Sequence, residues 1–329
     1  MAERAPTAAS AGEARGDGDT ARKKAGANAA RCLSPTVLLV LGMFGFVYAT
    51  VMNDVVLSPF LGGVQTAAGL FHTVLFSAIS GMALLSYGLA VVRPPGEVPS
   101  DYEANASAGA EDGKAVHVEV KRKGGAPRFC QKCLQYKPPR THHCRICRRC
   151  VLRMDHHCIW VGNCVGHNNY KAFFLFLAYT TAALVHALYL LVAYGIDAAV
   201  AHTAAIVDPA ATARTVAQKD GLAVARPSMA GALALPLFIG VGSLFVWHAR
   251  LVVLNKTTIE HHEGVRTRVS EGGTAGTRRH VYDVGAWSNV SAALGHSPSM
   301  WLVPWPGKAA GDGLSFPTAS MYCVPISSS

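Results

Sequence analysis

Seven cysteines and several histidines crowd one short part of the chain, in a pattern typical of metal binding. The chain has nine cysteines, and seven of them fall between Cys130 and Cys164. The block reads Cys130-x2-Cys133-x9-His143-Cys144-x2-Cys147-x2-Cys150-x4-Asp155-His156-His157-Cys158-x5-Cys164. Zinc prefers tetrahedral sets of thiolate and imidazole ligands, and a Cys-x2-Cys turn aims two sulfurs at one ion. Two histidines and six cysteines make eight ligands, enough for two closed sites, and one thiol is left over.

The spacing of this block does not settle how the ligands are shared. Interleaved sites and two consecutive fingers both fit, and the spacing does not distinguish His143 from His142. Closed four-ligand sites leave no open position for a substrate, so both sites are expected to be structural. Metal binding would then replace the hydrophobic core that this block does not have.

Long uncharged stretches predict that the chain spans a membrane. Half of the residues are hydrophobic and only 15% are charged, against roughly 25% in ordinary globular proteins. Four stretches lack Asp, Glu, Lys and Arg: 32–53, 55–92, 172–196 and 227–249. Each exceeds the roughly 20 residues that cross a bilayer, whereas buried helices of a soluble core are rarely this long without a charge. The predicted spans are 36–56, 65–92, 172–198 and 229–252.

The distribution of basic residues predicts the orientation. Lys and Arg number 6 in residues 1–35, 14 in 93–171, 3 in 201–228 and 7 in 250–329. The positive-inside rule therefore predicts cytosolic termini and a cytosolic middle loop. Cytosolic thiols stay reduced, which favours metal binding or catalysis over disulfides. The first span begins too late for a cleavable signal peptide and is interpreted as a signal anchor.

With these features in place, the block resembles the DHHC family of protein S-acyltransferases, the palmitoyltransferases. Asp155-His156-His157-Cys158 is the family signature. The flanking family motifs are Lys137-Pro-Pro-Arg140, His142-His143-Cys144, Trp160-Val-Gly-Asn163-Cys164-Val-Gly166 and Asn169-x3-Phe173. Thr257-Thr258-Ile259-Glu260 is similar to the family's TTxE motif, and 282–289 to its C-terminal aromatic/Asn motif. The resemblance covers roughly 36–305, and it departs from the family at Pro94-Pro95-Gly96, where Asp-Pro-Gly is usual.

Together the spans and the resemblance imply an all-α multi-pass membrane protein. Four transmembrane helices are expected, with a cytosolic, zinc-stabilised Cys-rich domain between the second and third. The predicted order is a disordered cytosolic N-terminus (1–35), spans 1 and 2 (36–92), the Cys-rich zinc domain (93–171), spans 3 and 4 (172–252) and a cytosolic tail with the TTxE and aromatic/Asn motifs (253–329).

The resemblance also implies the chemistry, which is transfer of a palmitoyl group from palmitoyl-CoA to protein cysteines. Cys158 would be the nucleophile that carries the acyl group. A free thiol near pKa 8.5 is mostly protonated in the cytosol, so His156 would take its proton and Asp155 would orient the imidazole. The implied zinc sets are Cys130, Cys133, His143 and Cys150 for one ion, and Cys144, Cys147, His157 and Cys164 for the other.

An acyl-CoA co-substrate needs an apolar sheath around its acyl chain and cations beside its phosphates. The spans would supply the sheath, with Trp160 and Phe173 at its entrance, and the resemblance puts a chain-length selector near Ala183. The candidates for binding the CoA phosphates are Lys137, Arg140, Arg145, Arg148 and Arg149. The same charges are equally typical of a solvated face near anionic lipid.

Two other classes of function account for part of this pattern. A zinc-stabilised membrane adaptor would keep the ligands but would not need Cys158, and a nucleic-acid-binding zinc knuckle would not need four spans. Cys158 with His156 and Asp155 therefore favours the enzyme, with no nucleic-acid partner. The expected partners are palmitoyl-CoA, membrane lipid and cytosolic or membrane proteins with juxtamembrane cysteines. The expected location is the endomembrane system, Golgi or ER ahead of vacuole or plasma membrane.

Overall fold

The computed structural model describes residues 32–102, 118–119, 128–207, 221–264, 267–268, 280–305 and 311–318. Nearly all of the N-terminal segment predicted to be disordered lies outside these residues. Within them, the chain is mostly helical, and its strands are short.

Four long apolar helices form the frame. They are α1 (Pro35–Thr50), which continues into a π-helical turn (Val51–Val56), α2 (Ala67–Val92), α3 (Tyr170–Val207) and α4 (Gly221–Val253). The candidate membrane spans within them are Pro35–Val56, Ala67–Val92, Tyr170–Ala204 and Val224–Val253, each long and apolar enough to cross a bilayer. The predicted four-span fold is confirmed. The third and fourth helices extend beyond the predicted 172–198 and 229–252.

The ends of these helices follow from local sequence. Ser34 caps α1, its hydroxyl accepting the Val37 N–H at 3.4 Å, and Thr66 caps α2 by accepting the Gly69 N–H at 3.0 Å. Such side chains satisfy N–H groups that have no partner within the helix. At its other end α2 stops before Pro94, because a residue that precedes proline avoids the helical conformation.

Packing among the helices creates two apolar cores. The helix α3 packs against both α2 and α4. One core joins the spans to the Cys-rich region and includes Tyr87, Cys158 and Phe173. The other lies toward the opposite ends of the helices and includes Phe76 and Ala187.

Three short antiparallel hairpins build the Cys-rich region between α2 and α3. They pair β2 (Phe129–Cys130) with β3 (Gln135–Tyr136), β4 (His142–Cys144) with β5 (Arg149–Val151), and β6 (His156–Cys158) with β7 (Asn163–Val165). A fourth pair joins β1 (Val118–Glu119) to β8 (Thr267–Arg268). The strands are too short to form a core of their own, as expected for a region held by metal.

Two short helices follow the last span, α5 (Thr258–Glu263) and α6 (Ala286–Leu294). Asn289 of α6 is fully buried, and its amide donates to the Val253 carbonyl at 2.8 Å and to the Asp283 carboxylate at 2.7 Å. This side chain therefore holds α6 against the end of α4.

Candidate active site and metal centres

The first metal cluster lies between two hairpins. Cys130, Cys133, His143 and Cys150 bring their ligand atoms within 4.8 Å of one another. The His143 Nδ1 atom lies 3.2 Å from the Cys133 sulfur and 3.6 Å from the Cys130 sulfur. His143 faces Cys150 across the β4–β5 pair. His142 points elsewhere, its Nε2 lying 3.4 Å from the Arg128 guanidinium, so the geometry selects His143.

The second cluster interleaves with the first. Cys144, Cys147, His157 and Cys164 also bring their ligand atoms within 4.8 Å of one another. The His157 Nδ1 atom lies 3.7, 3.4 and 3.5 Å from the sulfurs of Cys144, Cys147 and Cys164. His157 and Cys164 are directly paired across β6 and β7. The structure thus brings together the same sets of four that the resemblance implied.

The two clusters fit zinc. Ligand atoms around a tetrahedral zinc with bonds of about 2.0–2.3 Å are separated by roughly 3.6 Å, close to the nitrogen–sulfur distances just given. In each cluster a Cys-x2-Cys turn supplies two thiols, and the residue after it, Leu134 or Arg148, has a φ of 54°. This left-handed conformation turns the chain sharply back after each knuckle.

Two asparagines attach this region to the end of α2. The Asn163 amide donates to the carbonyls of Val91 at 3.2 Å and Arg93 at 2.8 Å. The Asn169 amide donates to the carbonyls of Ala90 at 3.2 Å and Cys164 at 2.8 Å. Carbonyls at the C-terminus of a helix have no partner within the helix, so these bonds fix the Cys-rich region on the span.

The remaining thiol, Cys158, lies beside a histidine–carboxylate pair. Cys158 is 8% exposed, and its thiol lies close enough to His156 to help raise the pKa of that imidazole. The His156 Nδ1 atom lies 2.7 Å from the Asp155 carboxylate, which leaves Nε2 for the thiol. Burial by itself would lower the pKa of His156, but hydrogen bonds and charge from Asp155 and Cys158 raise it to about 9.

Asp155 is held in place by Thr258 of the TTxE motif. This carboxylate is fully buried and accepts the Thr258 N–H at 2.9 Å and the Thr258 hydroxyl at 2.8 Å. Burial would raise the pKa of Asp155, yet the bond and charge of His156 and the Thr258 N–H hold it below its ordinary value. The TTxE motif therefore reaches the catalytic candidates directly.

A histidine of α4 completes the surroundings of His156. His248 is 1% exposed, and its ring centroid lies 5.9 Å from that of His156 and 5.1 Å from that of Phe173. Its Nδ1 atom lies 3.2 Å from the Tyr170 hydroxyl. His248 is not among the site residues predicted from the sequence. The only signal available was an ionisable residue within an apolar span.

Arg140 does not fit the predicted role of binding CoA phosphate. It is 1% exposed, and its guanidinium forms a two-pronged ion pair with Glu260 at 2.7 and 2.8 Å. It also donates to the side chain and carbonyl of Asn255 at 2.9 and 2.8 Å. The prediction for Arg140 is therefore corrected: the residue clamps α5 and the end of α4 to the Cys-rich region, out of reach of a phosphate.

An apolar cavity of about 420 Å³ leads from Cys158 into the bundle. Trp160 and Phe173 line it near Cys158, and Ala183 lines it farther along α3. Trp160 is 48% exposed and Phe173 is buried. Lys137 is partly exposed and is not among the residues that line this cavity. The thiol thus lies where an aqueous face meets an apolar tunnel.

Known proteins share the sequence of this region. The family described as DHHC palmitoyltransferase matches residues 123–265. Probable protein S-acyltransferase 16 of Arabidopsis thaliana is 39% identical over 86% of this chain and 92% of its own length. The chain belongs to the DHHC palmitoyltransferase family. Probable protein S-acyltransferase 15 of Arabidopsis thaliana is 37% identical over 77% of the chain and 91% of its own length. Palmitoyltransferase ZDHHC15 of Xenopus laevis is 30% identical over 86% of the chain and 81% of its own length.

Membership of this palmitoyltransferase family confirms the resemblance read from the motifs. It also confirms the prediction of an acyltransferase over the alternative of a non-catalytic adaptor.

Proposed function

We propose that this palmitoyltransferase moves a long-chain acyl group from acyl-CoA to protein cysteines through an acyl-enzyme on Cys158. The observation that carries the proposal is the position of Cys158. Its thiol lies at the mouth of an apolar cavity and beside a histidine that is bonded to a buried carboxylate. A nucleophile, a base and a group that orients the base are the parts that thiol catalysis requires.

In the first step, the Cys158 sulfur attacks the thioester carbonyl of acyl-CoA. The thiol proton passes to Nε2 of His156 before the new carbon–sulfur bond forms, because an imidazole whose pKa is raised to about 9 holds a proton at neutral pH. The bond from the carbonyl carbon to the CoA sulfur then breaks, and the CoA sulfur leaves with the proton from His156. Asp155 favours the charged imidazole between these events, as the raised pKa of His156 indicates.

In the second step, a substrate cysteine attacks the acyl-enzyme. His156 accepts the proton of that thiol, the acyl group passes to the new sulfur, and the Cys158 sulfur recovers a proton from His156. The acyl chain would remain in the cavity while the thioester faces the mouth. The partly exposed Trp160 marks the side from which CoA and the protein would approach.

Exposed cations supply the remaining candidates for the CoA phosphates. Arg145 and Arg148 are exposed, while Lys137 and Arg149 are partly exposed. Arg149 already pairs with Glu97, which leaves Lys137, Arg145 and Arg148 as the better candidates.

Zinc in the two Cys3His clusters would have a structural role. Cys130, Cys133, His143 and Cys150 would hold one ion, and Cys144, Cys147, His157 and Cys164 the other. Each set fills the four positions of a tetrahedral ion, so the zinc would shape the region without contacting the thioester.

The charge distribution supports a cytosolic site. The Cys-rich loop carries 14 Lys and Arg residues in 93–171, against 3 in 201–228. We therefore assign both termini and the Cys-rich region to the cytosolic side of an endomembrane. The Golgi and the ER are favoured over the vacuole and the plasma membrane. A site there would meet both CoA and the juxtamembrane cysteines of cytosolic or membrane proteins.

The test is autoacylation with alkyne-tagged palmitoyl-CoA in detergent, compared between wild type, Cys158→Ser and Cys32→Ser. Cys32 is an exposed thiol just before α1 and provides the matched control. A hydroxylamine-sensitive label on wild type and Cys32→Ser, but not on Cys158→Ser, is expected. A folded wild type with two zinc ions and no label would contradict the proposal.

A further inference from the structure

Two buried hydroxyl groups have no partner in the apolar cavity. Ser80 of α2 and Thr180 of α3 both line it and are 2% and 9% exposed. Within the part of the chain that the structure describes, neither Oγ atom has a hydrogen-bond partner. A buried hydroxyl without a partner costs about 1–3 kcal/mol, so these two groups require an explanation.

Other hydroxyl groups on the same helices show what is unusual about this pair. A serine or threonine inside a helix ordinarily donates to the carbonyl four residues earlier. Ser86 donates in this way to Met82 at 2.7 Å, and Thr181 to Leu177 at 2.7 Å. The same bond is made by Thr73, Thr203, Ser228 and Ser243. Ser80 and Thr180 do not make it, so a molecule bound in the cavity that they line is the partner that remains for them.

The two hydroxyls also lie at similar depth. Thr180 follows Phe173, which is next to His156, by seven residues of α3. Ser80 precedes Tyr87, whose hydroxyl donates to the Trp160 carbonyl at 2.8 Å, by seven residues of α2. Seven helical residues advance about 10 Å. An extended chain advances roughly 1.2 Å per bond, so an acyl chain that ran along both helices from the level of Phe173 and Tyr87 would reach both hydroxyls after about eight or nine bonds.

We propose that this cavity takes an acyl chain with a hydroxyl group near its middle, and that Ser80 and Thr180 bind that hydroxyl. One chain hydroxyl can donate to one of these side chains and accept from the other. A saturated chain would leave both side chains without a partner. This inference rests on the proposed acyl transfer and adds to it a class of substrate, the mid-chain hydroxy acyl-CoA thioesters.

The test is a competition within one sample. Equal amounts of hexadecanoyl-CoA and 9-hydroxyhexadecanoyl-CoA are offered to the full-length protein, and mass spectrometry measures the two acyl forms of the Cys158 peptide. The ratio of hydroxylated to saturated product should fall roughly tenfold in the double variant Ser80→Ala/Thr180→Val, the factor given by a hydrogen bond worth about 1.4 kcal/mol. The ratio reports only folded molecules, so partial loss of folding does not alter it.

Two controls make the result specific. Ser86→Ala/Thr181→Val removes two hydroxyls from the same helices that bond to their own backbones, and the ratio should not change. With 16-hydroxyhexadecanoyl-CoA the ratio should be insensitive to Ser80→Ala/Thr180→Val. If the ratio for the 9-hydroxy chain were unchanged in that variant, the inference would be overturned, and a resident water that satisfies both hydroxyls would give this result. An equal fall in the ratio for the 16-hydroxy chain would also overturn it. Failure of wild type to form any acyl-enzyme from hexadecanoyl-CoA would instead overturn the proposed function.

Discussion

Replacing Thr258 by valine should slow acyl-enzyme formation about tenfold. The change deletes the hydroxyl that donates to the Asp155 carboxylate at 2.8 Å and keeps the shape of the side chain. The Thr258 N–H still donates to the other carboxylate oxygen at 2.9 Å. Thr257, which caps α5 by accepting the Glu260 N–H at 3.1 Å, is untouched, so the helix should persist.

The magnitude follows from the burial of the carboxylate. Asp155 is 0% exposed, so water cannot replace the lost donor. A hydrogen bond to a charged group contributes about 1.5–3 kcal/mol, equivalent to roughly tenfold to 150-fold. Because the N–H donor and His156 remain, we expect the rate of acyl-enzyme formation to fall by the lower end of that range, about tenfold.

Single-turnover autoacylation at saturating palmitoyl-CoA measures this effect, with zinc content and melting temperature recorded on the same samples. Thr258→Ser keeps the hydroxyl and is the matched control, with a rate close to that of wild type. If Thr258→Val were acylated as fast as Thr258→Ser, Thr258 would not position Asp155 through its hydroxyl, and the proposed link from the TTxE motif to catalysis would be refuted.

Three further predictions concern the metal, the buried ion pair and pH. Cys147→Ala should lower the zinc content from two ions per chain, measured by atomic emission, and abolish labelling; two retained ions would contradict the assignment. Arg140→Ala should lower the free energy of unfolding by roughly 3–5 kcal/mol, because it leaves Glu260 charged and buried without a partner. The melting temperature should fall accordingly, whereas Lys137→Ala should leave it unchanged. His156 has a pKa raised from 6.5 to about 9, so the stability gained from its charge is complete below pH 6.5 and is lost as the pH rises through about 9. The loss is about 3 kcal/mol at most, and a falling melting temperature in wild type but not in His156→Gln would show it.

The membrane helices could be predicted because their signal is local. Absence of charge over about 20 residues is required wherever a helix meets lipid, and it marked all four spans. The helix ends were less accurate. The helix α3 continues past its uncharged stretch through Asp197, and α4 begins before its uncharged stretch, at Gly221. The absence of charge alone does not report these extensions.

The sharing of metal ligands could not be derived from spacing. Consecutive and interleaved sites use the same residues, and the choice depends on which hairpin strands are in register. The register pairs His143 with Cys150 and His157 with Cys164. That pairing leaves Cys144 and Cys147, which belong to the same hairpin as His143, for the second cluster.

The error at Arg140 has a comparable cause. An arginine within a basic block has the same local sequence whether it faces a phosphate or a buried carboxylate. Its partner, Glu260, lies 120 residues away in the chain, so only the fold could show the pair. His248, 92 residues after His156, was missed for the same reason.

These distant contacts separate metal binding by the Cys-rich region from the positioning of its catalytic histidine. The Cys-rich region alone would be expected to combine both. Its metal clusters use only residues 130–164, so metal binding does not require the C-terminal segment. Asp155, in contrast, depends on Thr258, and α5, which carries Thr258, is held by the Arg140–Glu260 pair. A chain without its TTxE motif should therefore keep both clusters and still place His156 poorly. Loaded metal sites would accordingly not be sufficient for the geometry at Cys158, because the carboxylate that orients the base is fixed from beyond the fourth span.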